Sequence, residues 1–258
     1  MVKIAIVYYS MYGHIRILAE AIKKGVEEAG HEAVLLQVPE TLPDDVLAKM
    51  HAPAKSDDAV VTVADLLAYD GIIFGLSGRF GQVPAQFRSF WDATGGHWQT
   101  GALIGKPAGV FSSTGSQGGG QETIGLTLIP QLAHHGMVFV PLGYRDKRAF
   151  DNTEVHGGSP YGAGTIVSAD GSRMPSELEL GMAQTQGNSF AVIAAKLANK
   201  GAGQQAAVAS EPDKATVAAP PAQPPTPDKP FIDHAKVVEE PPVTAQTAQK
   251  GAMCCDLQ

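Results

Sequence analysis

The chain has 258 residues, a net charge of −7 and a sequence pI near 5.6. That length accommodates one sizeable domain with an extension, and the acidic balance excludes general nucleic-acid binding, which requires a basic face. No apolar stretch reaches transmembrane length, no signal peptide precedes the first strand, and the only 2 cysteines, Cys254 and Cys255, stand together near the end, so a disulfide framework is excluded and a cytoplasmic setting is expected.

The first segment, KIAIVYYS from Lys3, alternates Ile4, Ile6 and Tyr8 with Ala5, Val7 and Tyr9, apolar on both faces as a buried parallel strand requires. A polar turn follows, then an amphipathic helix in which Ile15, Leu18, Ala19, Ile22 and Val26 recur at helical spacing and Gly30 fits the position past the end. The turn places Ser10 and the amides of Gly13, His14 and Ile15 at the helix N-terminus, where free N–H groups and the dipole favour an anion. No G-x-G-x-x-G follows the strand, and GALIGK at 101–106 has the wrong spacing for a P-loop. A short hydroxyl-bearing turn suits a single terminal phosphate such as FMN carries; it equally suits an empty strand-to-helix turn capped by Ser10.

Further along, Gly71 to Gly75 reads as a second buried strand, LSGRFGQ at 76–82 as a turn, and Pro84 as the opening of a helix with Phe87, Phe90 and Trp91 on one face. Pro107 to Ser112 and Met137 to Val140 read as strands, with a glycine-rich turn at 113–121 after the former. Strands alternating with helices predict an α/β, doubly wound parallel sheet, and the turns at 10–15, 76–82 and 113–121 all fall at carboxyl ends of strands, where such sheets bind ligands. The connection at 141–175 is far longer than the usual ~4–6 residues and is expected to be functional. A last helix is expected from Ser176 to Lys200, with Gly201 ending it. The 8 histidines form no metal-ligand spacing, and neither a G-x-S-x-G elbow nor a Cys–His nucleophile pattern stands out.

YYSMYGHI at 8–15, GRFGQ at 78–82, TGGHW at 94–98, FSSTGSQGGGQE at 111–122, LAHHGM at 132–137 and GSPYGAGTI at 158–166 resemble the WrbA family, in a fungal-type member with a C-terminal extension. The resemblance covers residues 1–201 and implies a flavodoxin-like fold of five parallel strands and an FMN-dependent NAD(P)H:quinone oxidoreductase, reducing quinones to hydroquinones by ping-pong turnover with NADH or NADPH as donor; the alternative readings are a non-enzymatic membrane-associated or signalling protein that kept the fold, and a one-electron flavodoxin-type carrier. It implies that Ser10, Met11, Tyr12, Gly13, His14 and Ile15 cradle the phosphate, that Gly78, Arg79 and Phe80 line the flavin ring and ribityl chain, and that Ser113, Thr114, Gly115, Ser116, Gln117 and Gly118 wrap the polar edge of the ring. Trp98 would wall the substrate slot, His134 would stand near the flavin, Tyr12 would contact nicotinamide and Arg79 would stabilise charge on the reduced ring. A homotetramer is also implied. The chain departs from the family at Leu76-Ser77-Gly78, where T-P-T is usual, and its 113–121 loop is one residue longer than the usual S-T-G-T-G-G-G form.

From Ala202 the composition changes. Half of the chain's 18 prolines lie beyond it and Phe231 is the only aromatic, so residues 202–258 are expected to be a disordered tether. Its last four residues, Cys255-Asp256-Leu257-Gln258, fit a C-a-a-X terminus, which predicts prenylation of Cys255, acylation of Cys254 and peripheral attachment to the cytoplasmic face of a membrane.

Overall fold

The structure, a computed structural model, describes residues 1–208. Strand β1 (Lys3–Tyr8) is buried along its length except at Lys3, and α1 (His14–Glu28) buries the predicted stripe of Ile15, Leu18, Ala19, Ile22 and Val26. Then come β2 (Glu32–Gln37), the short α2 (Asp44–Lys49) and the two-residue β3 (Ala59–Val60). Strand β4 (Gly71–Ser77) is wholly buried, and after Pro84 helix α3 (Ala85–Asp92) buries Phe87, Phe90 and Trp91. The chain continues through α4 (Gly95–Thr100), the fully buried β5 (Pro107–Thr114), α5 (Gln121–His134), β6 (Val138–Phe139), β7 (Gly164–Ile166) and α6 (Glu177–Val208).

Every strand pairing is parallel, in the order β3-β2-β1-β4-β5-β6, with β7 also on β5. The five expected strand positions are present, but the fifth is split. β6 pairs with Pro107 and Ala108 at one end of β5, and β7 pairs with Ser112 to Thr114 at the other. The strand expected over 137–140 therefore shrinks to two residues, and β7 lies inside the stretch read as a loop. Three residues, the first of them a glycine, are too few to show a period of two.

Each sheet face carries its own core. Val7, Tyr9, Phe74, Phe87, Trp91, Ile124 and Leu128 pack on the side of α3 and α5; Ile4, Ile6, Tyr8, Ile22, Phe111 and Phe190 pack on the side of α1 and α6. Helices α1 and α6 meet backbone to backbone at Gly25 and Gly187. A Cβ added at Gly187 would stand 2.8 Å from the Ile22 carbonyl carbon, and one at Gly25 would stand 2.8 Å from that of Gln184.

Helix α6 does not stop at Gly201 but runs to Val208. Gly201 and Gly203 each cost about 1 kcal/mol against alanine, yet the intervening and following Ala and Gln residues are good helix formers. The proposed tether beyond this point, with Cys254 and Cys255, lies outside the described residues.

Candidate functional site

The carboxyl ends of β1, β4 and β5 enclose a cleft of about 540 Å³. Strand order reverses between β1 and β4, and open α/β sheets bind ligands at that reversal. One wall is the turn after β1. Ser10 Oγ accepts a 3.1 Å hydrogen bond from the Gly13 N–H, and Gly13, at φ +94°, holds the turn in the left-handed region with open space where a Cβ would stand. The amides of Tyr12, His14, Ile15 and Arg16 have no partner among the described residues, and the first turn of α1 carries no acidic side chain. Free donors and an uncompensated positive dipole end thus converge on one spot.

The second wall comes from Ser77 at the end of β4 with Gly78 and Arg79 after it, and the third from Ser113 near the end of β5 with Gly115 after it. Gly78 N–H donates to Ser113 O at 2.9 Å. A Cβ at Gly78 would fall 2.6 Å from Ile124 Cδ1 and 2.8 Å from Ser113 O, so the glycine that stands where the resembled family has threonine fits the close approach of these two turns.

Residues 167–171 form a fourth wall that the sequence did not disclose. Val167 N–H donates to Thr114 O at 2.8 Å, and His14 Nε2 lies 3.0 Å from Gly171 O, so this wall is tied both to β5 and to the turn after β1. Asp170 faces the cleft rim, but its carboxylate is engaged by Ser172, whose N–H and hydroxyl donate to it at 3.1 and 2.8 Å; those bonds hold its pKa below the usual carboxylate value. Met50 was also missed. It lines the cleft from the loop after α2, and its carbonyl accepts a 3.1 Å bond from Tyr12 Oη.

A second cleft of about 600 Å³ adjoins the first and shares Met11, Met50 and Arg79 with it. Leu42, Phe80, Val83 and Pro84 make the rest of it largely apolar. Phe80 is fully exposed and sits at φ +51°, a left-handed conformation unfavourable for a bulky side chain. Arg79 is exposed, its Nη1 donating to Gly78 O at 2.9 Å, and it has no acidic partner among the described residues.

Behind this cleft Glu40 gathers donors. Lys55 Nζ lies 2.8 Å away, and Tyr9 Oη and Gln86 Nε2 each donate at 2.9 Å. Burial alone would raise the Glu40 carboxyl; the bonds from Lys55, Tyr9, the Leu42 amide and Gln86 outweigh it and hold the pKa at about 2. Burial first, then the bond to Glu40, pushes the Tyr9 hydroxyl well above its ordinary value.

The structure brings Ser10, Met11, Tyr12, His14, Ile15, Gly78, Arg79, Ser113 and Gly115 to the first cleft, with Gly13 forming its turn and Phe80 in the second. It does not bring the other expected residues there. Thr114 turns inward to Gln121, which donates to its hydroxyl at 2.7 Å, while Ser116, Gln117 and Gly118 are exposed on the loop beyond. His134 ends α5, roughly 20 Å along the helix from its start near the cleft at 1.5 Å per residue. Trp98, on α4, is 59% exposed and lines neither cleft. Both stand near the amino end of β5, where Gly105 N–H bonds Gly136 O, rather than its carboxyl end. Among the described residues no group of three His, Cys, Asp or Glu side chains could hold a metal, and no helix is long and apolar enough to cross a membrane.

Known proteins share this architecture. The chain is 57% identical over 198 residues to NAD(P)H quinone oxidoreductase YCP4 of Candida albicans, covering 76% of this chain and 69% of that protein. It is 57% identical over 197 residues to quinone-oxidoreductase QR2 of Triphysaria versicolor, covering 76% and 96%. The solved flavodoxin, WrbA-like protein from Agrobacterium tumefaciens superposes with a TM-score of 0.52 at 23% identity over 76% of this chain and 99% of that one, which shows the flavodoxin-like fold. With the model for NADPH-dependent FMN reductases matching residues 2–145, from β1 through β6, the chain belongs to the NADPH-dependent FMN reductase family.

Proposed function

We infer that the protein is an FMN-dependent NAD(P)H:quinone oxidoreductase. The observation that carries the reading is the pair of adjoining clefts at the strand ends, one lined by free amides, the other by apolar side chains. The residues present fit FMN. Four unpartnered amides and an uncompensated helix N-terminus suit a phosphate, the hydroxyls of Ser77 and Ser113 suit a ribityl chain, and the volume lies within the usual range for such ligands. When bound, FMN supplies two-electron chemistry, taking hydride equivalents from a nicotinamide and delivering them to a quinone. Ser10 holds the turn, so that the amides of His14 and Ile15 face the anion. Met11, Met50, Phe80 and Val83 would offer a flat ring an apolar slot beside the cofactor. Arg79, shared by the two clefts, would supply a positive charge to stabilise negative charge on a reduced cofactor.

Assembly as a homotetramer belongs to the same proposal. Trp98, Ile104 and Val138 are 59%, 72% and 40% exposed near the amino end of β5, and an interface between copies would bury them. In such an assembly Trp98 and His134, which do not reach this chain's own cleft, could serve a neighbouring copy. Lipidation of Cys254 and Cys255 is a separate proposal; fractionation of Cys255→Ser against wild type in the native host tests it.

The test of the activity is spectroscopic. Purified protein should show a flavin spectrum that bleaches with NAD(P)H and returns with benzoquinone. A preparation that takes up no FMN would overturn the reading.

A further inference from the structure

We propose that Glu179, together with Arg173, is a positioning residue of the cleft, setting the place of the 167–171 wall; this rests on the reading of the cleft as the FMN site. Glu179 lies in the first turn of α6, where it forms a capping box with Ser176. Ser176 N–H donates to its carboxylate at 2.8 Å, and its own N–H reaches Ser176 Oγ at 3.3 Å. A capping box needs only a half-exposed carboxylate. Glu179 is instead fully buried, and its two oxygens take four further donors: the amides of Gly157 at 2.8 Å and Ile166 at 3.2 Å, the Thr165 hydroxyl at 2.8 Å and the Arg173 guanidinium at 3.0 Å. Burying a charge this completely is costly unless every lone pair is satisfied, and here all the extra donors come from the long 141–175 segment or its edge.

Arg173 carries the tie onward. Its guanidinium donates to the carbonyls of Ile166 at 2.7 Å and Val155 at 2.8 Å, and its amide donates to Val167 O at 3.1 Å. Residues 167–171 run directly from this anchor to the His14 contact at Gly171. Packing does not hold them. Ala169 and Asp170 are exposed, and none of residues 167–171 is buried. The wall therefore has hydrogen-bonded ties at its two ends, and the Glu179–Arg173 pair, beside the Val167–Thr114 backbone bond, sets the one remote from the N-terminal turn. Neither residue lines the cleft. Their effect on the cofactor passes through the wall.

The test separates positioning from plain stability. Flavin-stripped wild type, Glu179→Gln and Ser176→Ala are melted, then titrated with FMN, the dissociation constant being read from quenching of flavin fluorescence. Ser176→Ala weakens the start of α6 but leaves the wall's ties in place. The expected result is a dissociation constant at least tenfold higher for Glu179→Gln and within twofold of wild type for Ser176→Ala, even where the two lower the melting temperature alike. If Glu179→Gln does not fold, Arg173→Lys keeps the charge but loses the fork to Ile166 and Val155, and is expected to shift the constant in the same direction. The proposal is overturned if the folded variant binds FMN within twofold of wild type, or if both variants lose affinity in proportion to stability. Wild type that takes up no FMN would instead refute the cofactor reading itself.

Discussion

Gly187→Ala should unfold the protein several degrees earlier without touching its cofactor chemistry. The added methyl would stand 2.8 Å from the Ile22 carbonyl carbon and nearer still to its oxygen. Its neighbour is helix backbone, which cannot swing aside as a side chain can, so α1 and α6 must move apart and loosen the layer that holds Ile22, Val26, Ala183 and Phe190. Overpacking of this kind costs about 1–3 kcal/mol, and a backbone clash belongs near the upper end. Replacing glycine by alanine within a helix returns about 1 kcal/mol, leaving a net loss of about 2 kcal/mol. For a domain of this size each kcal/mol corresponds to roughly 2–4 °C, so the melting temperature should fall by about 4–8 °C. Circular dichroism melts of flavin-loaded and flavin-stripped protein should show the same shift, because the crossing lies away from the cleft. Gly25→Ala should act likewise, and the double variant should cost less than the sum, since helices already separated accommodate the second methyl. An unchanged or raised melting temperature for Gly187→Ala would refute the reasoning, because helix propensity would then outweigh the contact.

Ser10→Asp should place a carboxylate beside the anion site and break the hydroxyl bond to Gly13; at roughly 1–4 kcal/mol of repulsion, FMN affinity should drop about tenfold or more, read from the flavin-to-protein absorbance ratio, and full occupancy would reject the phosphate assignment. Initial rates with donor and quinone both varied should give parallel double-reciprocal lines, because one apolar slot serves both in turn; intersecting lines would require both to be bound at once. Glu40 titrates at about 2 in the folded chain against an ordinary 4.5, so its stabilisation is complete above about pH 4.5 and is lost as the pH falls towards 2. Urea unfolding of Glu40→Gln should accordingly lie below wild type at neutral pH and converge with it in acid; a gap that does not change with pH would show that the carboxylate charge is irrelevant.

The sheet was legible because β1, β4 and β5 are apolar on both faces and α1 repeats its apolar residues at helical spacing. Three of the cleft's four walls were legible for a related reason: each is a polar turn directly after such a strand. The fourth was not, since Val167 to Gly171 follows a three-residue strand and is held by hydrogen bonds that leave no apolar pattern. Met50 escaped notice because only its tertiary contact with Tyr12 brings it to the cleft. Trp98 and His134 came from resemblance alone, and the chain holds them near the amino end of β5, away from the cleft. The end of α6 was misjudged by giving one glycine, Gly201, more weight than the helix formers after it.

The split fifth strand position leaves β5 paired on this edge over two separate stretches. On one, Val138 and Val140 donate to Lys106 and Ala108; on the other, Ser112 donates to Ala163 and Val167 to Thr114. With only 2 residues in β6 and 3 in β7, these bonds can open to solvent locally while the pairing of β4 with β5 stays closed. Amide hydrogen exchange along this edge then becomes a map of the cleft. Cofactor binding should slow the amide of Val167, which lines the cleft, and that of Ser112, next to the cleft residue Ser113, and leave those of Val138 and Val140 exchanging at the same rate as in the stripped protein.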